Sequence, residues 1–406
     1  MQYLRRSVIC LIVVAAFLIL KSCSERKTPN SQDIRVKRIA IDPAKNKLIA
    51  WDSLIEEMDV IQLETGIEHL ISAVNKIAIT EKFIYILDRQ QHQLFIHSKD
   101  GRYVNKIEEG GAPNNSRDLR DFTTSKKGSL WINSYQAFEK FTEEGVKISR
   151  YPVDTELKEG VNPINPIQMG YSSGSFYLWG GSVGFKASDL RKTSIPTMIR
   201  LVDSETQGSF KISEGYFPLR RGLVDTDRFI EYKDTLFLTT FLESDTIHSA
   251  YKGVVRAEYV VDFGNQSYSH YPSINDDKNE ESSIRYDITY NTNLCGQVRK
   301  PVLTKDHIAF QYVGPGPYVF QAICDRKTLH ATAGTGFGKE KFPFIITGQY
   351  NEKFIAYANS EQLAQYFAAY SDKSKSPLFL NKNWDILSKG KGDDNPVILL
   401  LKMKPF

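Results

Sequence analysis

Ala333-Gly-Thr-Gly-Phe-Gly-Lys339 is a glycine-rich run closed by a lysine, the composition with which backbone N–H groups cradle a phosphate. A working phosphate loop separates its outer glycines by four residues and follows the lysine with a hydroxyl for magnesium. Here the spacing is shorter and Glu340 takes the hydroxyl position, so the segment is expected to be a connector. The seven histidines, at positions 69, 92, 97, 248, 270, 307 and 330, form no His-x-x-x-His pair beside an acid, and zinc needs three or four convergent ligands. His97 and His307 fall in apolar strand patterns and read as structural. Asp393-Asp394 lacks the alternating oxygen ligands of a calcium loop and reads as a cap on the turn before Pro396. No Gly-x-Ser-x-Gly elbow supplies a nucleophile. Carboxylates are too many for a glycosidase pair to be chosen without geometry. The sequence thus yields no catalytic residue, no metal site and no cofactor.

The cysteines carry clearer chemistry. Met1 to Arg6 is basic, Ser7 to Leu20 is apolar, and Lys21-Ser-Cys23 follows. A basic start before a short apolar run is an export signal. The run falls short of the roughly 20 apolar residues of a membrane span, though a short anchor helix is the alternative. Ser22 before Cys23, and the polar stretch from Ser24 to Asp33 after it, resemble a bacterial lipoprotein signal. There the thiol is acylated and becomes the first mature residue. Lys21 departs from the small or apolar residue usual at its position. Such an anchor makes the membrane a partner, since each buried CH₂ contributes about 0.8 kcal/mol. Ser24 in place of Asp favours the outer membrane. Cys10 lies in the signal, which leaves Cys295 and Cys324. Outside the cytoplasm these can pair as a disulfide or stay as two separate buried thiols.

Removing residues 1–22 takes away Arg5, Arg6 and Lys21, so the formal charge falls from +4 to +1. A near-neutral chain without basic runs has no field for nucleic acid.

The elements that must position any site are strands. Tyr (21) and Phe (23) far outnumber Met (5), a balance that suits strands over helical bundles, and the hydrophobic period is two nearly throughout. Lys76 to Thr80, Phe83 to Leu87, Gln93 to His97 and Arg102 to Ile107 predict a four-stranded meander, with Asp100-Gly101 as a hairpin turn. The pattern recurs, and Gly145 falls 44 residues after Gly101. Looser copies start near residues 175, 229, 301 and 344. Repeats of this length fit propeller blades; a β-sandwich stack is the alternative. The last copy lacks two strands, and Asp59 to Leu63 with Val397 to Lys402 are expected to complete it. Ser360 to Tyr370 breaks the pattern: Ser360 reads as an N-cap, with Leu363 and Phe367 four apart on one face of a short helix.

Val60 to Thr65, Lys76 to Ile79, Tyr85 to Arg89, Lys99 to Arg102 and Asp393 to Lys404 resemble the six-bladed β-propeller lipoproteins of Bacteroidetes. The resemblance runs from about residue 50 to the end. It implies an all-β, six-bladed propeller and an envelope address, without implying chemistry; the short helix read at Ser360 to Tyr370 is then expected as an insertion in the last blade. Where that family often carries a Gly-x-Gly-Pro-Gly-type loop, this chain has Gly110 to Asn115, a departure. The repeated Ser-x-Asp-x-Gly-x-Thr-Trp turn of sialidase-like propellers has a single partial match at Ser125 to Trp131, without the aspartate. The expected organisation is a signal at 1–22, a tether and extension at 23–52, and a propeller at 53–406.

In such a meander the turns joining first to second and third to fourth strands share one face, and here they are short. The other connections are long and crowd the opposite face, where binding residues usually reside. Within those long connections Arg117, Arg120, Trp179, Tyr216, Arg220 and Arg221 combine aromatic surface with fork-shaped donors. They are the candidate ligand residues. The expected function is an envelope binding module for a glycan, a peptide or a partner protein. The alternatives are a carbohydrate lyase or hydrolase with its site in the central cleft, and a purely structural envelope subunit.

Overall fold

The computed structural model describes residues 36–405 except 46, 109–118, 126–127, 135–136, 153–164, 182–195, 203–210, 219–228, 240–244, 253, 268–292, 316–317, 336–341 and 376. Among the described residues, apolar alternation produces six sheets of four or five strands, arranged as a β-propeller. The first sheet is Lys76–Ile79, Phe83–Asp88, Gln93–Ser98 and Tyr103–Glu108, paired in that order. The second runs Asp121–Thr124, Leu130–Ser134, Ala137–Phe141 and Lys147–Pro152. The third is Asn165–Ser172, Ser175–Gly181, Pro196–Val202 and Lys211–Pro218. The fourth is Phe229–Tyr232, Thr235–Thr239, Thr246–Tyr251 and Val254–Asp262; the fifth is Gly296–Leu303, His307–Val313, Val319–Asp325 and Ala331–Thr335.

The sixth sheet joins the two ends of the chain. Ile345–Tyr350 and Lys353–Ala358 are followed by Val397–Met403, which pairs antiparallel with Ile55–Gln62. The two terminal runs therefore complete the last sheet as the sequence led us to expect. The first strands of successive sheets touch one another in order, from the second through the sixth and on to the first. Lys76 then bridges the first sheet to Asp121 of the second.

Part of the expected tether belongs to the fold. Lys37–Ala40 adds in parallel to the outer edge of the fourth sheet and Lys47–Leu48 to that of the fifth. Two- and four-residue strands carry too little alternation to be seen in sequence. Three further departures share a cause in local composition. Asn165–Ser172 contains Pro166 and Gly170, which blur its period; Pro166 sits at a register shift, a position that tolerates the missing N–H. Thr246–Tyr251 lies in a stretch expected to be a connection, and Ala331–Thr335 runs into the glycine-rich segment.

The helix Ser360–Ala369 lies between the second and third strands of the sixth sheet. Its N-cap is Asn359, not Ser360, whose hydroxyl instead donates to the Asn395 carbonyl at 2.6 Å. Leu363 and Phe367 are buried with Phe342, Phe379 and Trp384. Phe367 meets Trp384 edge-on at 4.9 Å. Asn395, buried, accepts from Ile71 N–H and donates to the Glu64 and His69 carbonyls, which fixes the link from the sixth sheet to the first.

Candidate functional site in the central cavity

Each first strand has a partner on one side only. Its other edge faces the middle of the ring, where side chains take up part of its backbone: Lys76 donates to the Phe122 and Met169 carbonyls, and Gln349 Nε2 to that of Glu231 at 3.3 Å. Five of these strands wall a cavity of about 370 Å³, within the size range of small-ligand sites.

One end of the wall is satisfied by the protein itself. Lys76 opens its strand, and its ammonium donates to Asp121 Oδ1 at 3.0 Å, the Phe122 carbonyl at 2.7 Å and the Met169 carbonyl at 3.4 Å. Asp121 in turn accepts from Phe122 N–H at 2.9 Å and Met169 N–H at 2.7 Å. Asp121 is 3 % exposed and Lys76 15 %. All three ammonium protons are spent, so this pair ties three first strands together and has no donor left for a ligand.

The other end of the cavity reaches the short turns, through Glu81, Ser125, Gly128 and Lys233. Those turns are held rigidly. Tyr85 donates to the Glu143 carbonyl at 3.0 Å and Asn105 to that of Glu144 at 2.8 Å. Lys82 pairs with Glu143 at 2.9 Å, which raises the lysine pKa. Burial pushes the Tyr85 hydroxyl up as well. Ser172 and Ser173 hold the Asp234 carbonyl. Glu352 accepts from Tyr232 at 3.2 Å and from Lys305 N–H, and Lys99 donates to the Tyr350 hydroxyl at 2.6 Å. A mouth fixed by so many contacts between sheets loses little freedom when it binds.

Tyr171 and Tyr350 line this mouth from the third and sixth sheets, which stand opposite in the ring of first strands. Phe176 supports Tyr171 at 4.9 Å, and the Lys99 ammonium lies 4.5 Å from the Tyr350 ring centre. Sequence reasoning missed both tyrosines and the Lys76–Asp121 pair. A signal did exist: Tyr171, Tyr232 and Tyr350 each stand at or next to the end of a first strand, directly before a short turn.

Of the residues singled out from sequence, Cys23, Arg117, Arg220 and Arg221 lie outside the described residues. Arg120 precedes the first strand of the second sheet, half-buried; its carbonyl accepts from Arg89 Nε at 2.7 Å. Trp179 and Tyr216 lie within strands of the third sheet, not in connections. Both pair with Met198, so they share one cross-strand row. Cys295 and Cys324 are free, buried thiols, which corrects the disulfide alternative. Burial pushes each up to about 12, far from the thiolate that exchange chemistry requires. His97 and His307 are buried in strands. Asp394 accepts from Lys391 N–H at 2.7 Å within its turn. Among the described residues no three His, Cys, Asp or Glu side chains are placed to hold a metal, and no helix is long and apolar enough to cross a membrane.

Residues 36–402 match a domain of unknown function, DUF4934. The fold is similar to a protein from Bacteroides fragilis described as a candidate exported protein, with a TM-score of 0.67 and 14 % identity over 91 % of this chain and 99 % of that one. It is also similar to a DUF4221 member from Bacteroides vulgatus, with a TM-score of 0.51 and 10 % identity over 87 % and 98 %. Curated proteins gave no match.

Proposed function

The chain belongs to the DUF4934 family, whose description assigns no activity, and from that premise we propose that it is a ligand-binding module of the cell envelope. The observation that carries this reading is the cavity: about 370 Å³ walled by five first strands, with a mouth that bears hydroxyl, carboxylate and aromatic groups. A concave site of this size with a few polar groups converging on it suits a small polar ligand. The reading takes the six sheets as the six blades of a propeller and the helix at residues 360–369 as an insertion in the last blade. It also takes Cys23 as the lipidated start, anchored in the outer membrane. The candidate exported protein of B. fragilis supports the address. Replacing Cys23→Ala should move the protein from the membrane fraction to the soluble one; unchanged membrane association would overturn the anchor.

The test of binding is titration of the full chain against panels of neutral oligosaccharides and of peptides, with product analysis on each hit. Saturable binding without turnover supports a binding module. Turnover would instead support a carbohydrate lyase or hydrolase acting through carboxylates of the same cavity. A second reading places a ligand on the long-connection face, at Arg117, Arg120, Trp179, Tyr216, Arg220 and Arg221. The shared row of Trp179 and Tyr216 favours it. Substitutions on the two faces separate the readings.

A further inference from the structure

We infer that the turn between the third and fourth strands of the fourth sheet, at Tyr251, Lys252 and Val254, rests in the interface of the bilayer that holds the chain. This inference rests on the anchor at Cys23 and adds to it a second, non-covalent contact. Three observations converge on it.

First, the turn presents apolar side chains to solvent. Tyr251 is 43 % exposed and Val254 62 %, and the Lys252 ammonium lies 5.1 Å from the Tyr251 ring centre. A ring with a polar tip, an aliphatic neighbour and a lysine that keeps its charge in water are side chains suited to a membrane interface. Second, the chain enters the propeller at this end of the fourth sheet. Lys37–Ala40 runs parallel to Val254–Asp262, with Lys37 opposite Tyr259 and Ala40 opposite Asp262. Its first residue therefore lies on the Val254 side of that pairing. The chain from Cys23 to Lys37 reaches at most about 50 Å, so an acylated Cys23 tethers the molecule by this rim. Third, the charge at the rim suits an anionic surface. Lys37, Lys252 and Arg256 outnumber Glu258, which lies 3.7 Å from Lys37 and 3.5 Å from Arg256; Arg38 pairs with Asp262 at 2.9 Å. The excess is positive, and anionic lipids attract such a patch. Val146 and Ile148 are also exposed, but they stand on the second sheet, away from the edge at which the chain enters, and form the rival surface.

The experiment reconstitutes the full chain, purified from membranes, into vesicles of phosphatidylethanolamine and phosphatidylglycerol. An environment-sensitive dye is placed on Val254→Cys, on Tyr251→Cys or on Ile148→Cys, and circular dichroism of each variant checks the fold. The parent chain should take no label, because lipid occupies the Cys23 thiol and Cys295 and Cys324 are buried. In vesicles the emission of the dyes at 251 and 254 should shift to the blue and be quenched by nitroxide-labelled lipids, while the dye at 148 does neither. Vesicle association with all three dyes left in water would overturn the contact and leave the anchor standing. Quenching at 148 alone would overturn it in favour of the second sheet. A blue shift without quenching would assign the turn to a second copy of the chain and overturn the membrane contact. A parent chain that takes label at Cys23 and stays off the vesicles would overturn the anchor and the contact together.

Discussion

Asp121 shows how one carboxylate can define an end of the cavity. It pairs with Lys76 and takes the N–H of Met169 from a third strand. Removing one partner of a buried pair leaves an uncompensated charge, at a cost of about 3–5 kcal/mol. Asp121→Ala should lower stability by that order in denaturant titrations, and Lys76→Met added to it should recover part of the loss. His97 is fully buried and neither ring nitrogen has a hydrogen-bond partner. Tyr103 stands edge-on at 5.9 Å and itself stacks on His69 at 4.3 Å. Burial, then the nearby His69, pull its pKa from 6.5 to about 4, against the opposing pull of Glu64. The unfolded chain therefore binds the proton more tightly than the folded one. Stability from this group is complete above pH 6.5, declines as pH falls, and is lost once pH passes through about 4. The full effect is about 3 kcal/mol. Denaturant titrations of His97→Leu should show a shallower decline across that window than the parent chain.

At the scale of the element, the seam between the sixth and first sheets depends on a turn. Gly101 has φ +89°, and a Cβ there would sit 1.9 Å from the Gln62 carbonyl oxygen. Its own carbonyl accepts from Glu64 N–H at 2.8 Å. Gly174 has φ +77° with open space around it. Gly174→Ala should cost only the backbone strain, about 1–2 kcal/mol. Gly101→Ala adds a collision with backbone and should cost clearly more, read as the larger drop in melting temperature. Asp100-Gly101 was legible in the sequence as a hairpin turn, but its fit against Gln62 was not, because that contact is made by a distant strand. The same limit explains the strands that sequence reading missed. Gly170 interrupts an alternating pattern, yet a Cβ there would lie 2.7 Å from Leu236 of the next sheet. A residue chosen for close approach between sheets looks like a breaker when read along the chain.

For the whole molecule, period-two alternation made the propeller arrangement and the pairing of the two chain ends legible, since both follow from local pattern and strand count. The cavity was not legible. Its wall joins residues from Lys76 to Tyr350, and the long connections drew attention to the opposite face on length alone. Tyrosines placed before short turns were the sequence mark of the mouth. A ligand of the cavity is expected to enter between those turns. Hydrogen exchange of the full chain, with and without the tightest oligosaccharide from the panel, tests it most directly. Added protection is expected at Ile79 to Glu81, Tyr171 to Ser173, Tyr232 to Lys233 and Gln349 to Tyr350. Protection confined to residues 109–118 and 219–228, with these turns unchanged, would contradict it.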